Sequence, residues 1–199
     1  GLHVRPKNGQ FDYFDASLQG SRGAEILWLI DGVRITNRLY NGTSPLDTIP
    51  AHMVERIEVL KGGQGIFYGT QSVGGVVNVV TKSYSQETDG AVGTGVNSND
   101  GYTLNGYMRG GNAKHQYVVY ASKDEADGYQ PYRDRDFQPS ASDRDRSYDV
   151  SMAGIKYGLS LADNARVSMQ YQRTDNELDF ARPFLNFNTV NEREEDIFT

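Results

Sequence analysis

The chain has 199 residues, a formal net charge of −6, no cysteine, 22 glycines and 13 tyrosines, and only 37% hydrophobic residues. The acidic balance does not favour a nucleic-acid partner, and the missing cysteines exclude a disulfide scaffold. No apolar run approaches the roughly 20 residues of a membrane helix, so the composition is that of a turn-rich β protein or of a transmembrane barrel, in which only every second strand residue is apolar.

Ile26-Leu27-Trp28-Leu29-Ile30 is a continuous apolar run, the pattern of a strand buried on both faces. Asp31-Gly32 follows as a turn signal, and Val33-Arg34-Ile35 resumes the extended pattern, which predicts a small hairpin. Residues 36–48 are loop-like. A short helix is expected from Pro50 to Val54, with Thr48 as its cap. Arg56–Leu60 alternates as a strand. Six glycines then fall between Gly62 and Gly75, before the strand formers Val76, Val77, Val79 and Val80. A dinucleotide loop needs a third glycine where Tyr68 stands and a helix after it, and neither requirement is met. The plain reading is strand, tight turns, strand, with no helix in the glycine stretch.

The pattern changes near Lys82. Segments of about ten residues now alternate, as barrel strands do. In the clearest, Val167, Met169 and Tyr171 face one way, and Arg166, Ser168, Gln170 and Gln172 the other. Residues 101–109, 115–122 and 147–157 behave alike. Short turns are expected at Asn97–Gly101, Gly110–Lys114 and Ala162–Asn164, and long polar loops at 123–146 and 174–195. Periodicity alone leaves a soluble β-sandwich open beside the barrel.

The first 82 residues carry a more specific signal. Leu29-Ile30-Asp31-Gly32-Val33, Ile49-Pro50, Glu55-Arg56-Ile57-Glu58-Val59-Leu60, Gly62, Tyr68-Gly69, Gly74-Gly75-Val76, Asn78 and Thr81-Lys82 occur in one order. Together they resemble the plug domain of TonB-dependent outer-membrane receptors. The match departs at Gln19-Gly20, at Lys61-Gly62-Gly63, where a proline is lost, and at Val73. The resemblance implies an α+β plug domain over residues 1–82, lacking its N-terminal part. Residues 83–199 would then supply the first five or six antiparallel strands of a transmembrane β-barrel of about 22 strands. In that reading the glycines let the plug backbone pass close to the barrel's inner wall.

The resemblance also implies a function: uptake across the bacterial outer membrane of a scarce ligand such as a siderophore, cobalamin or similar chelate. The expected partners are outer-membrane lipid, the small-molecule ligand, and the inner-membrane TonB complex acting through a segment upstream of Gly1. A plug-bearing receptor used for signalling and a soluble β-rich binding protein are the alternatives. Catalysis and a cofactor are not expected. His3, His52 and His115 lack the spacing of metal ligands.

Two loops become ligand candidates as plug apices. One holds Asn37, Arg38, Tyr40 and Asn41, the other Gln10, Phe11 and Tyr13; a cation, amides and phenols suit an oxygen-rich chelate. Glu55, Arg56, Glu58 and Lys61 are expected to lock the plug by pairing with charges on the barrel wall. In the stretch from Tyr132 to Asp149, Asp134, Asp136, Asp143 and Asp145 alternate with arginines, which favours a self-neutralising loop over a calcium site.

Overall fold

The computed structural model describes residues 1–6, 14–35, 49–70, 72–141, 144–162, 164–180 and 189–198. The chain divides into two compact units, Gly1–Ser83 and Tyr84–Thr199.

The first unit holds two small sheets. Strands β1 (Leu2–Pro6) and β2 (Phe14–Leu18) form an antiparallel pair. Strands β3 (Ile26–Ile30), β4 (Val33–Arg34), β5 (Val54–Lys61) and β6 (Gly75–Thr81) form a mixed sheet in the order β4-β3-β6-β5. The central pair, β3 and β6, is parallel, whereas β4 and β5 flank it antiparallel. Every residue of β3 is buried, and so is every residue of β6 except Asn78. This explains the unbroken apolar spelling of β3 and the near-continuous one of β6, interrupted only at Asn78, because both faces are covered. On one face Ile26, Trp28 and Val77 pack with Ala16 and Leu18 of β2; on the other Leu27, Leu29 and Val76 form a second cluster.

The expected Asp31-Gly32 hairpin is present, with both residues at positive φ. The expected helix after Pro50 is one 3-10 turn, Ala51–Met53. Thr48 lies outside the described residues. The glycine stretch contains a feature that the strand-turn-strand reading lacked: one helical turn, α1 (Gly65–Tyr68), closed by the Tyr68 amide on the Gln64 carbonyl at 2.9 Å. A single turn is too short to carry a helical periodicity in sequence.

The close approach inferred for these glycines occurs at Gly74 and Gly75, and it lies inside the first unit. A Cβ at Gly74 would strike the Ser21 side chain; one at Gly75 would strike Leu18 and the Leu60 carbonyl, at a φ of +143°. Only glycine lets β6 begin while wedged between β2 and β5.

The second unit is a six-stranded antiparallel meander: β7 (Asp89–Asn97), β8 (Gly101–Gly111), β9 (His115–Tyr129), β10 (Arg146–Ala162), β11 (Ala165–Phe180) and β12 (Thr189–Phe198). The three expected short turns join β7 to β8, β8 to β9 and β10 to β11. The long loops are shorter than the polarity of 123–146 and 174–195 suggested. Strand β9 runs on to Tyr129, β11 to Phe180, and β12 starts at Thr189. Polar residues stay in the sheet there because they pair across it: Lys123 bonds Asp149, and Thr103 donates to Asp124 at 2.7 Å. At 17 residues, β10 exceeds the roughly 9–11 needed to cross a bilayer.

The two faces of this sheet differ. Along one register row Met108, Val119, Ile155, Tyr171 and Phe198 lie side by side across five strands, flanked by the pairs Tyr157–Met169 and Leu159–Val167. Val167 is 56% exposed and Met169 65%, an apolar band without protein cover. On the opposite face Tyr120, Ser122, Asp124, Lys156, Gln172, Thr174 and Asn176 are buried. Strand β10 is glycine-thin on that face. The Tyr120 ring crosses Gly154 to donate to Gln172 at 2.8 Å, and Arg166 crosses Gly158 to donate to Gln116 at 2.8 Å. Three strands are thereby tied side chain to side chain over a backbone with no Cβ in the way.

Candidate functional site

The charged strand of the first unit is the best-defined polar site among the described residues. Strand β5 lies at the edge of its sheet, so its polar side chains reach past the apolar core. A register shift between Val54 and Arg56 marks a bulge at Glu55, and such a bulge re-aims a side chain. Here the Glu55 carboxylate accepts the Ser83 amide at 2.7 Å. Arg56 donates from Nε to Glu58 Oε1 at 2.8 Å and from Nη1 to the Ser83 hydroxyl at 3.4 Å. The second oxygen of Glu58 accepts from the Asn78 amide at 2.9 Å. The Asn78 amide, and after it Arg56, hold the Glu58 carboxyl below the usual carboxylate range. Lys61 is exposed at the end of β5.

Asn78 continues the network toward the Asp31-Gly32 turn. Its Oδ1 accepts the Gly32 amide at 3.0 Å. Asp31 in turn accepts the Thr81 amide at 3.0 Å and the Thr81 hydroxyl at 2.6 Å. Thr81 is fully buried, so these bonds satisfy donors that water does not reach. Arg34, the last residue of β4, donates to the Thr70 carbonyl at 3.1 Å. The turn that leads into residues 36–48 is thus bolted to β6 and to the segment after α1.

The structure joins Glu55, Arg56 and Glu58 in one network with Ser83 and Asn78 of their own unit, whereas the sequence reading expected them to pair with charges on the barrel wall. The sequence reading marked Asp31, Asn78 and Thr81 only as pattern positions and gave Ser83 no part. A lone asparagine inside Val-Val-Asn-Val-Val was the available signal, since a polar side chain on a buried strand demands partners. The ligand candidates Asn37, Arg38, Tyr40 and Asn41 lie outside the described residues, as do Gln10, Phe11 and Tyr13.

In the β9–β10 connection the acids turn to arginines and amides. Asp134 accepts from Gln130 and from Arg144, each at 3.0 Å, and Asp136 accepts from Arg133 at 3.0 Å. Arg144 also lies 5.3 Å over the buried Phe137 ring. The Gln130 amide, followed by Arg144, holds the Asp134 carboxyl below the usual range. Asp143 lies outside the described residues. Among the described residues no group of three or more His, Asp or Glu is placed to hold a metal ion.

Comparison with known proteins agrees with this architecture. The family described as TonB-dependent Receptor Plug Domain matches residues 1–76. A vitamin B12 transporter BtuB of Photobacterium profundum is 29% identical over 164 residues, which are 82% of this chain and 26% of the relative. One from Vibrio cholerae is 31% identical over 100 residues, 50% of this chain and 16% of the relative. The crystal structure of the siderophore receptor PirA from Acinetobacter baumannii superposes with a TM-score of 0.69 at 20% identity, over 91% of this chain and 28% of that one. The chain therefore spans about a quarter or less of the curated relatives it matches. A plug match on the first unit, followed by a meander with an apolar exposed band on one face and a mixed polar and apolar buried face on the other, supports a partial TonB-dependent receptor: residues 1–76 match its plug domain, and the chain shares the fold of plug and following barrel strands.

Proposed function

We propose that the receptor takes up a scarce metal chelate across the outer membrane, with cobalamin the first ligand to test, and that the TonB complex energises it. One observation carries the reading: the plug match over residues 1–76 is joined in one chain to strands whose exposed face has the chemistry of lipid contact. The curated relatives are vitamin B12 transporters, and PirA is a siderophore receptor. A corrinoid and a ferric siderophore share a metal centre inside an oxygen- and nitrogen-rich shell. Arg38, Tyr40, Asn41, Asn37, Gln10, Phe11 and Tyr13 offer the cation, amides and phenols that such a shell accepts. In this reading Glu55, Arg56, Glu58 and Lys61 keep the plug in place until force reaches it, and residues 1–82 act as plug against residues 83–199 as barrel.

The test is uptake by whole cells with and without the full-length receptor, using labelled cyanocobalamin and a panel of ferric siderophores, each with and without a protonophore. Energy-dependent uptake of one chelate, lost on deletion, supports the proposal. Equal uptake of every probe in both strains would overturn it.

A further inference from the structure

We infer that Asn78 is a positioning residue that couples the Asp31-Gly32 turn to Ser83, the last residue of the first unit. The inference deepens the proposed function and rests on it in one respect: the turn matters to transport because β4 leads from it into the candidate ligand loop 36–48.

The argument is one of donor and acceptor inventory. Asn78 is the one residue of β6 that is not buried apolar or buried at a strand end, and it faces partners on two sides. On the turn side sits a donor, the Gly32 N–H, 3.0 Å from Oδ1. On the β5 side sits an acceptor, the Glu58 carboxylate, 2.9 Å from Nδ2. Only a side-chain amide of this length offers an acceptor one way and a donor the other. Aspartate lacks the donor, serine the reach, and leucine both. Beyond Glu58 the chain of contacts is unbroken. Arg56 bridges Glu58 Oε1 at 2.8 Å and the Ser83 hydroxyl at 3.4 Å, and its Nη1 lies 3.8 Å from the Glu55 carboxylate, which holds the Ser83 amide at 2.7 Å. Thr81, two residues before Ser83, is gripped by Asp31 of the same turn. The turn therefore holds the end of β6 by two routes, one directly at Thr81 and one through Asn78, Glu58 and Arg56. A displacement of the turn pulls on Glu58 through Asn78, turns Arg56, and frees Ser83. Contacts of this kind transmit a change between sites when both ends bias one element, and here the element is the Glu58–Arg56 pair.

Amide hydrogen exchange in the full-length receptor, with no ligand added, tests this directly. In Asn78→Leu, which keeps the bulk and removes both bonds, exchange should rise about tenfold or more at Gly32 and also at Ser83. The Val77 and Val79 amides should keep their protection. A rise at Gly32 with Ser83 unchanged would overturn the inference, leaving Asn78 as a local cap. Asn78→Asp provides the second arm, which still decides the matter if the leucine variant loses the strand. Its carboxylate accepts from Gly32 but repels Glu58 until one of the pair is protonated. The strand neighbours of that position are Glu58 on β5 and the apolar Leu29 on β3; the other charged groups nearby are Arg56, bonded to Glu58, Asp31, which precedes Gly32, and Arg34 on β4, beyond Leu29. The shared proton raises one carboxyl of the pair. After correction for intrinsic rates, Ser83 in this variant should therefore exchange fast near pH 7.5 and regain protection near about pH 5, where a carboxyl proton replaces the amide donor. The parent should be flat across that range. A Ser83 rate in Asn78→Asp that ignores pH would sink the coupling. If the ligand reading fails instead, these measurements stand, because no ligand takes part in them.

Discussion

Replacing Asp31 by alanine should loosen the end of β6 more than any other single change in the turn. The carboxylate accepts from the Thr81 amide at 3.0 Å and from its hydroxyl at 2.6 Å, and Thr81 has no solvent access. A buried donor left without an acceptor costs about 1–3 kcal/mol. The hydroxyl can rotate toward another acceptor, but the backbone amide cannot. Asp31 also sits at a φ of +50°, where an aspartate is tolerated and an alanine is strained by about 1 kcal/mol. The sum is roughly 2–4 kcal/mol of local stability. That corresponds to an increase of about 30- to 700-fold in exchange of the β6 amides, read by mass spectrometry on the intact receptor. Asp31→Asn keeps an acceptor and tolerates the left-handed backbone, so its cost should stay near 1 kcal/mol, about fivefold. An alanine variant that exchanges within threefold of the parent, or an asparagine variant as loose as alanine, would refute the reasoning.

Four further outcomes are expected. Gly154→Ala places a methyl in the Tyr120 ring and should cost about 1–3 kcal/mol, seen as a lower temperature for the heat-modified shift on gels; the penalty should shrink in a Tyr120→Ala background. Single cysteines at Val167 and Met169 should be reached by a lipid-soluble thiol reagent and spared by an impermeant one, with the opposite result at Ser168 and Gln170; uniform labelling would refute the face assignment. Because the folded carboxyl of Asp134 is depressed, its hold on Gln130 and Arg144 contributes above the ordinary aspartate range and is lost only as pH falls below that range. Carboxyl chemical shifts should show Asp134 titrating below the exposed aspartates, and Arg144→Ala should move it upward. Finally, joint replacement of Arg38, Tyr40 and Asn41 by alanine should lower cyanocobalamin binding about tenfold or more at equal surface expression, while unchanged binding would move the site elsewhere.

Much of the second unit was legible because its strands obey a period of two, with apolar side chains exposed on one face and the other face buried. That signal fails in two places. In β7, Asp-Gly-Ala-Val-Gly-Thr-Gly-Val-Asn, glycines occupy the positions where alternation would show. In the outer halves of β9 and β11, charged residues read as loop although they stay in the sheet, because cross-strand pairs such as Lys123–Asp149 replace apolar contact.

In the first unit the sequence by itself determined that Ile26–Ile30 is a doubly buried strand, that Val76–Val80 is a strand and that Asp31-Gly32 turns the chain, since apolar runs and turn residues are local properties. It also carried the plug resemblance, through the ordered motifs up to Lys82, which the family match over residues 1–76 bears out. Only the tertiary structure decided that β3 and β6 lie parallel, with β4 and β5 outside them. Only there does Gly75 become a packing necessity against Leu18, and Asn78 a junction between Gly32 and Glu58, 46 residues one way and 20 the other. These partners are remote in sequence, and a hydrogen-bond inventory has no meaning until the fold has brought its two sides within 3 Å.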